Sequence, residues 1–371
     1  MNNRSITAQD FYCAVALNAL IPLANERTLQ AAYYILRGRR ANQTLQDIHL
    51  YHLYPYYRMF PRFSKEDWDK IVSTLLQGAL IEHLEVTAAN GKPSFLVTEK
   101  GRDQAREWRT QFQLDLWLAP FTDSTMAARM ELFWQRLHLL VQTISQILAE
   151  DMGFLPVVSD KKIQQWVKAQ VAGSSDRDQW KRFLREELYH LWSPFPAEVQ
   201  ALLVRQLSGA AQVGKTLSQL AMQQNELAAH LLLKFRYGLA QSVQRLEGEK
   251  AHFPYLSRLV SQADRLDTRL TESAARTYAL IQKGWGVEQI AKSRNVKVST
   301  VEDHLAEIAL RCPEWDCRSY LDPQLGAQIM RVSEALQTSR LRLIKDQLGT
   351  GVSYLQIRLA LARRQGGAAD E

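Results

Sequence analysis

A single hairpin signal interrupts an otherwise helical pattern in this sequence, and that contrast limits the fold. Between residues 103 and 270 apolar side chains recur at helical spacing, breaks fall at proline and glycine, and no alternating strand run occurs. Before this range, the pair Asn90-Gly91 lies between the two β-rich runs ALIEHLEV and SFLVTEKG. An Asn-Gly pair suits the two-residue turn of a β-hairpin. The sequence therefore predicts a mainly α protein with one small hairpin.

Three predicted helices precede the hairpin. TLQAAYYILRG is expected to stop at Gly38, and SKEDWDKIVSTLLQG to begin at a capping Ser64. Between them, the helix in NQTLQDIHLYHLYPYY is expected to be ended by Pro55 and Pro61. Short helices followed by a hairpin indicate a winged helix, with Lys92 at the tip of the wing and a return helix after Lys100. We predict that this N-terminal winged-helix domain spans residues 1–110.

The stretch SAARTYALIQKGWGVEQIAKSRNVKVSTVEDHLAEIAL has the spacing of a helix-turn-helix. One helix is expected to end at Gly284, VEQIAKS to form a short helix, RNVKV to form the turn, and Ser299 to cap a third helix. The side chains expected to face the core are Ile290, Ala291, Val301, Leu305 and Ile308. At least three further helices follow, so we predict a C-terminal helical domain over 271–371 and an all-α middle domain over 111–270.

The run GAAQVGKT, from Gly209 to Thr216, matches the phosphate-binding pattern G-x-x-x-x-G-K-[ST]. A working phosphate loop follows a buried strand, but the preceding PAEVQALLVRQLS has helical spacing. We therefore interpret Gly209 as a left-handed helix cap and Thr216, with Gln219, as the capping box of the next helix. TLSQLAMQQNELAAHLLLKF would then form a second helix-turn-helix-like unit.

Charge and cysteine content narrow the protein's class only slightly. The net charge of +7 is spread thinly along the chain, so composition permits nucleic-acid binding without requiring it. Three cysteines are too few for a secreted disulfide framework, and no apolar stretch is long enough to span a membrane. We expect a cytoplasmic protein without a membrane partner, and composition leaves the oligomeric state open.

Catalytic and metal motifs have little support. Cys312 and Cys317, with His304 upstream, lack the second ligand pair that a structural zinc site needs. His49 and His52 likewise have no third ligand at matching spacing. No nucleophile elbow or paired-carboxylate motif occurs either. We therefore expect no metal, no cofactor and no enzyme activity.

Two groups of residues are candidates for DNA contact. At the start of the predicted recognition helix, side chains could reach base edges, whereas the basic residues of the winged helix would contact the phosphate backbone. The first group contains Lys297, Ser299, Thr300 and His304, with Asp303 beside them; the second contains Arg37, Arg39, Arg40, Lys65 and Lys92. Glu302 and Asp303 would repel phosphates, which argues for weak contact. A protein-binding helical module and a solvated charged face are the alternatives.

Both ends of the chain resemble accessory domains of a helicase family. The stretch ILRGRRANQTLQDIHLYHLYPYYRMFPRFSKEDWDKIVSTLLQGALIE with FLVTEKGRD resembles the RQC winged helix of RecQ helicases. SAARTYALIQKGWGVEQIAKSRNVKVSTVEDHL and GVSYLQIRLALA resemble the helix-turn-helix module at the C-termini of some RecQ proteins. Together they are similar to the YpbB-like family of RecQ-helicase-associated proteins. The ATPase core and the four zinc-binding cysteines of a RecQ helicase are missing from the sequence.

This resemblance implies a non-enzymatic DNA-binding accessory or adaptor protein that acts with a RecQ-type helicase in recombination or repair. Two other classes stay open at the level of sequence. One is a transcriptional regulator that reads a specific operator with residues 297–304, and the other is an adaptor with no DNA contact.

Overall fold

A computed structural model describes residues 7–84, 94–123, 125–151, 153–261 and 270–363. These residues form eighteen α-helices and one two-stranded sheet, which confirms a mainly α fold. Over the same ranges, no helix combines the length and the apolar character that crossing a membrane requires. The predicted wing tip with Lys92 lies outside the described residues.

The N-terminal helices and hairpin follow the predicted order of a winged helix. Their bounds are α1 Ala8–Leu20, α2 Leu29–Arg37, α3 Asn42–Leu50, α4 Lys65–Gln77, β1 Ile81–Leu84, β2 Ser94–Val97 and α5 Glu99–Gln111. Gly38 ends α2 with φ 80°, and Ser64 caps α4 in a reciprocal box with Asp67, both as predicted. β1 and β2 pair antiparallel, with Ile81 opposite Val97.

The middle of the chain is helical wherever it is described. Its helices are α6 Leu114–Leu118, α7 Met126–Leu148, α8 Lys161–Gln170, α9 Ser174–Trp192, α10 Ala197–Arg205, α11 Leu217–Gln224 and α12 Ala228–Gly248, followed by a 3-10 helix Leu256–Leu259. The long helices α7 and α12 pack on each other, and α9 and the 3-10 helix contact both of them. Phe133, Leu137 and Val243 are fully buried on α7 and α12.

Six helices form the C-terminal part. They are α13 Glu272–Ile281, α14 Val287–Arg294, α15 Val298–Arg311, α16 Pro323–Ala335, α17 Leu341–Leu348 and α18 Tyr354–Ala362. α15 is the central helix, because α3, α13, α14 and α18 all contact it. Leu305, Ile308 and Ile357 are fully buried in the resulting core, as the pattern predicted for the first two.

Contacts divide the chain into two compact units. Unit 1 contains residues 1–12 and 107–263, and unit 2 contains residues 13–106 and 264–371, so α1 and α5 contribute to both. Unit 2 therefore joins the winged helix to the C-terminal helices. Within it the Glu26 carboxylate accepts hydrogen bonds from the Thr338 hydroxyl at 2.8 Å and the Ser339 N–H at 3.1 Å. The three-domain division with boundaries at 110 and 270 stays a prediction.

Candidate nucleic-acid interface

The turn between α14 and α15 has the geometry of a helix-turn-helix. Asn295 adopts a left-handed conformation with φ 52°, which asparagine tolerates better than most residues because its short polar side chain can bond locally. The N–H of Val296 then donates to the Ala291 carbonyl at 3.0 Å, closing α14. Lys297 is extended and precedes the first residue of α15. The predicted cap at Ser299 is therefore wrong: the chain turns into the helix two residues earlier, and Ser299 lies in its first turn.

A small apolar cluster holds α14 against α15. Ile290 and Val301 are fully buried, and Ala291 is 5% exposed. Trp285 and Val296 pack on their edge. This cluster places the N-terminal end of α15 beside the exposed side of α14.

The first turn of α15 is open to solvent. Lys297 and Ser299 are exposed, Thr300 is half-buried, and Lys292 is exposed on α14. Lys297 and Ser299 are thus solvent-exposed at one helix N-terminus, where free N–H groups also favour phosphate. This tip is the exposed part of the helix-turn-helix.

His304 does not belong to this exposed surface. The residue is 6% exposed, and its Nδ1 lies 2.8 Å from the Thr277 hydroxyl. Arg294 also donates to that hydroxyl and to the Ser273 carbonyl. Burial, and then the charge of Arg294, lower the pKa of His304, so the neutral ring is favoured. The prediction that His304 faces DNA is wrong because one further helical turn brings the side chain under α13.

An ion pair limits how far the exposed face of α15 extends. Arg358 of α18 donates to the Asp303 carboxylate at 2.6 Å. The same pair neutralises the charge of Asp303. From the sequence alone, Asp303 was expected to repel phosphates. From Leu305 to Ala309 every side chain of α15 is buried. The exposed side chains near the start of α15 are therefore confined to its first turn. The Arg358 partner could not be predicted from sequence spacing.

The basic cluster of the winged helix lies on two tyrosines. Arg39 lies 4.3 Å from the centre of the Tyr34 ring, and the Arg37 guanidinium donates to the Tyr33 hydroxyl at 3.0 Å. Lys65 is 5.8 Å from the Tyr33 ring centre. Cations over aromatic faces are held in place while their outer edges stay available. The structure thus brings Arg37, Arg39 and Lys65 together.

Arg40 joins a different group of cations. Burial raises the pKa of the Tyr57 hydroxyl, and the positive charges of Arg311, Arg40 and Arg58 oppose that rise. Arg311 ends α15, so residues from both ends of the chain supply this group. Arg58 and Arg311 were missed from sequence because their proximity depends on α3 packing against α15.

Helix α4, which precedes the hairpin, presents a mixed surface. Lys65 is exposed but pairs with Asp69 at 2.6 Å, and Lys70 is the other exposed cation. Glu66 and Asp67 are exposed as well. The acids offset the lysines, so the exposed positive charge of this region is concentrated at Arg37, Arg39 and Arg40.

The GAAQVGKT segment uses its backbone groups within the protein. The Lys215 N–H donates to the Arg205 carbonyl at 2.8 Å, the Gly214 N–H to the Ser208 hydroxyl at 3.0 Å, and the Ala210 N–H to the Ser145 hydroxyl at 2.9 Å. Amides in a phosphate loop point at the ligand instead. Lys215 donates its side chain to Gln223 at 2.9 Å.

The details of this segment confirm one cap and correct another. Thr216 and Gln219 form the predicted capping box. α10 ends at Arg205 with a right-handed cap, and Gly209 lies outside the residues with positive φ. The left-handed cap at Gly209 is therefore wrong, because the chain leaves the helix four residues earlier.

The two cysteines of the C-terminal segment lie where packing accounts for them. Cys312 is buried in the core of unit 2, and Cys317 is half-buried beside it. Within the described ranges, no three His, Cys, Asp or Glu side chains are grouped so as to hold a metal ion.

Comparisons with known proteins agree with this geometry. A family model described as a helix-turn-helix domain matches residues 273–361. Over 356 residues the chain is 26% identical to Protein YpbB of Bacillus subtilis (strain 168), and the alignment covers 96% of this chain and 98% of that protein. No solved structure matches the chain.

Proposed function

We propose that this chain, which is similar to Protein YpbB and contains a helix-turn-helix domain, is a non-enzymatic DNA-binding accessory protein that acts with a RecQ-type DNA helicase in recombination or repair. The family match and the whole-chain similarity favour DNA binding. The helicase partnership is supported by the resemblance of the winged helix and the C-terminal module to RecQ accessory domains.

The observation that carries DNA binding is the exposed first turn of α15. A helix-turn-helix places the N-terminal residues of its second helix in the major groove while the preceding helix approaches the backbone. Lys297 and Ser299 occupy that position, and Lys292 is the exposed cation of α14. With His304 buried and Asp303 paired, few groups can read bases. Contact dominated by phosphate, with little sequence preference, suits an accessory protein better than an operator-binding regulator.

The arginines near the winged helix supply further phosphate contacts in the proposal. Arg37 lies on Tyr33 and Arg39 on Tyr34, and the charge of Arg40 acts on Tyr57 together with those of Arg58 and Arg311. All of them belong to unit 2. Lys92 stays a prediction outside the described residues.

The occupied amides of the GAAQVGKT segment support a non-enzymatic role. ATP titrated into wild-type protein and Lys215→Ala should give the same signal as buffer. Saturable binding that disappears in Lys215→Ala would contradict this part of the proposal.

DNA binding is tested with a fluorescent duplex and full-length protein. Lys292→Ala combined with Lys297→Ala should weaken binding about tenfold and reduce the slope of log K against log salt by about 1.8, the value for two phosphate contacts. Lys215→Ala with Arg205→Ala removes the same charge from unit 1 as a matched control. Equal losses in both double variants would exclude a dedicated site at the tip of α15.

The partner is tested by capture from cells of the source organism. Tagged full-length protein should retain a RecQ-type helicase in the presence of nuclease, which removes indirect bridging through DNA. DNA footprinting distinguishes the accessory protein from a transcriptional regulator. One discrete protected sequence would contradict the accessory role and indicate operator recognition.

A further inference from the structure

Unit 1 contains a column of two stacked aromatic rings, with one guanidinium group over each ring. The rings of Phe183 and Tyr255 stack with centroids 4.7 Å apart and an interplanar angle of 10°. Arg182 lies 5.2 Å from the Phe183 centroid, and Arg258 lies 4.7 Å from the Tyr255 centroid. Both arginines are exposed, whereas both rings are half-buried. The column thus presents two flat, oriented cations to solvent.

Buried groups fix the column from below. Glu187, 5% exposed, accepts hydrogen bonds from the backbone N–H groups of Tyr255 and Leu256, at 2.8 Å for the latter. Trp180 packs its edge against Tyr255 at 5.4 Å, and the Tyr255 hydroxyl donates to Gln179 at 3.0 Å. The rings are therefore positioned before any ligand arrives, which reduces the entropic cost of binding.

An open groove begins beside Arg258. Its volume is about 550 Å³, and it is lined by Glu247, Lys250, Ser257, Arg258, Val260 and Ser261. Two cations and two hydroxyls line one wall, and these groups are donors suited to phosphate oxygens.

The acids near the groove are mostly compensated. Glu247 accepts from Arg129 at 2.5 Å, an arginine that also pairs with Asp123, and Glu249 pairs with Arg245 at 3.1 Å. Glu187 is buried under the column. Glu186 is exposed one turn from Arg182. The groove itself therefore keeps a net positive wall formed by Lys250 and Arg258.

We propose that the column and the groove form a binding site for single-stranded DNA. Bases that are free of a duplex stack on guanidinium planes and aromatic rings, and the sugar-phosphate chain follows a positive groove. Arg182 and Arg258 offer the planes, and Lys250, Ser257 and Ser261 line the path of the phosphates. The site lies in unit 1, outside the helix-turn-helix tip and the arginines of unit 2. The test of this site is therefore independent of the tests of the proposed function.

The test measures binding of the full-length protein to a labelled thymidine strand of roughly 16 nucleotides, the upper end of the site size of one binding fold. Lys250→Ala combined with Arg258→Ala removes one phosphate contact and one stacking plane, so it should weaken binding about tenfold and reduce the salt slope by about 0.7, the single-strand value for one phosphate. Lys161→Ala with Lys162→Ala, exposed at the start of α8, is the charge-matched control. Equal losses in both variants would overturn the proposal.

A second variant tests stacking apart from charge. Arg182→Lys keeps the charge and removes the plane, so it should weaken binding to the thymidine strand about fivefold and leave an abasic strand of equal length unaffected. Equal loss on both strands would overturn base stacking, and equal loss on a duplex would overturn the single-strand assignment. Tighter binding of an RNA strand, lost in the same variants, would replace DNA by RNA. Lys297→Ala should leave thymidine binding unchanged, and this separates the two sites.

Discussion

Two regions of the molecule have nearly the same local fold but different surroundings. In unit 1, α10, α11 and α12 form a tri-helical unit, and in unit 2 α13, α14 and α15 form another. Asn225 and Asn295 end the second helix of each with φ 51° and 52°. The buried residues also correspond: Leu220, Ala221 and Leu231 in unit 1, and Ile290, Ala291 and Val301 in unit 2. The predicted second helix-turn-helix-like unit is thus present.

The third helix of each unit distinguishes them. From Leu233 to Ala240 every residue of α12 is buried, and its N-terminal turn contains Ala228 and Ala229 without a cation. α15 begins with an exposed turn next to Lys297. The same turn geometry therefore occurs where the third helix is packed in the core and where the third helix begins with an exposed turn. Exposure and charge at the N-terminus of the third helix decide whether the turn serves packing or is open to DNA contact.

The glycines between the first and second helices of the two tri-helical units also differ in their physical role. A Cβ at Gly214 would lie 2.1 Å from the Gln206 carbonyl oxygen, so only glycine allows this close approach of two backbone segments. Gly284 has φ 82° and no heavy atom near an added Cβ. The glycine of the GKT sequence is therefore explained by packing and the other by backbone conformation.

The largest expected effect comes from Gly214→Ala. Because the new Cβ would collide with backbone rather than with a side chain, we expect a loss of about 3 kcal/mol in the free energy of unfolding. Gly284→Ala should cost only about 1 kcal/mol, the penalty of left-handed backbone for a residue with a Cβ. Urea denaturation of both variants measures the difference. If the two losses were equal, the close-packing explanation of Gly214 would fail.

A smaller and matched effect is expected at the two turn asparagines. Asn225→Ala and Asn295→Ala should each lower the free energy of unfolding by about 1 kcal/mol, since alanine tolerates the left-handed region poorly. Asn→Gly at either position is the control and should restore the lost stability. Urea midpoints of the four variants test this. A large loss at only one of the positions would show that the two turns are not equivalent.

The smallest effect concerns pH and His304. Burial and Arg294 lower the pKa of His304 in the folded state, so the unfolded state binds the proton more readily. The associated stability is complete above the ordinary histidine pKa of about 6.5 and is lost as the pH falls toward the lower folded value. His304→Gln should therefore reduce the drop in urea midpoint between about pH 7 and about pH 5.5.

Other histidines provide the background of that measurement. The pKa values of His138 and His230 in unit 1 are also lowered, chiefly by burial, so some acid sensitivity should persist in His304→Gln. An unchanged pH dependence in that variant would show that His304 does not contribute.

Local structure could be predicted where a short-range rule applies. The box at Ser64, the stop at Gly38 and the box at Thr216 depend only on residues within one helical turn. The predicted cap at Ser299 is wrong because Lys297, which has no capping side chain, adopts the extended conformation that precedes α15. The predicted left-handed cap at Gly209 is wrong because hydrogen bonds to residues of α7 and to the Arg205 turn determine the path of that loop.

The candidate site was predicted in part for a related reason. Lys297 and Ser299 are exposed as expected because they lie next to the turn, whose position follows from the helical pattern. His304 lies one turn further on and is buried by α13. The position of α13 relative to α15 cannot be predicted from sequence spacing.

The sequence by itself determined the mainly α fold, the hairpin strands, the helix-turn-helix and the resemblance to RecQ-associated proteins, because periodicity, caps and turn residues act over short distances. Tertiary structure alone decided that both chain ends pack into one unit, that Arg358 neutralises Asp303, and that the charges of Arg40, Arg58 and Arg311 act on Tyr57. It also formed the column of Arg182, Phe183, Tyr255 and Arg258. These groups are far apart in the chain, and only the packing of helices brings their side chains together.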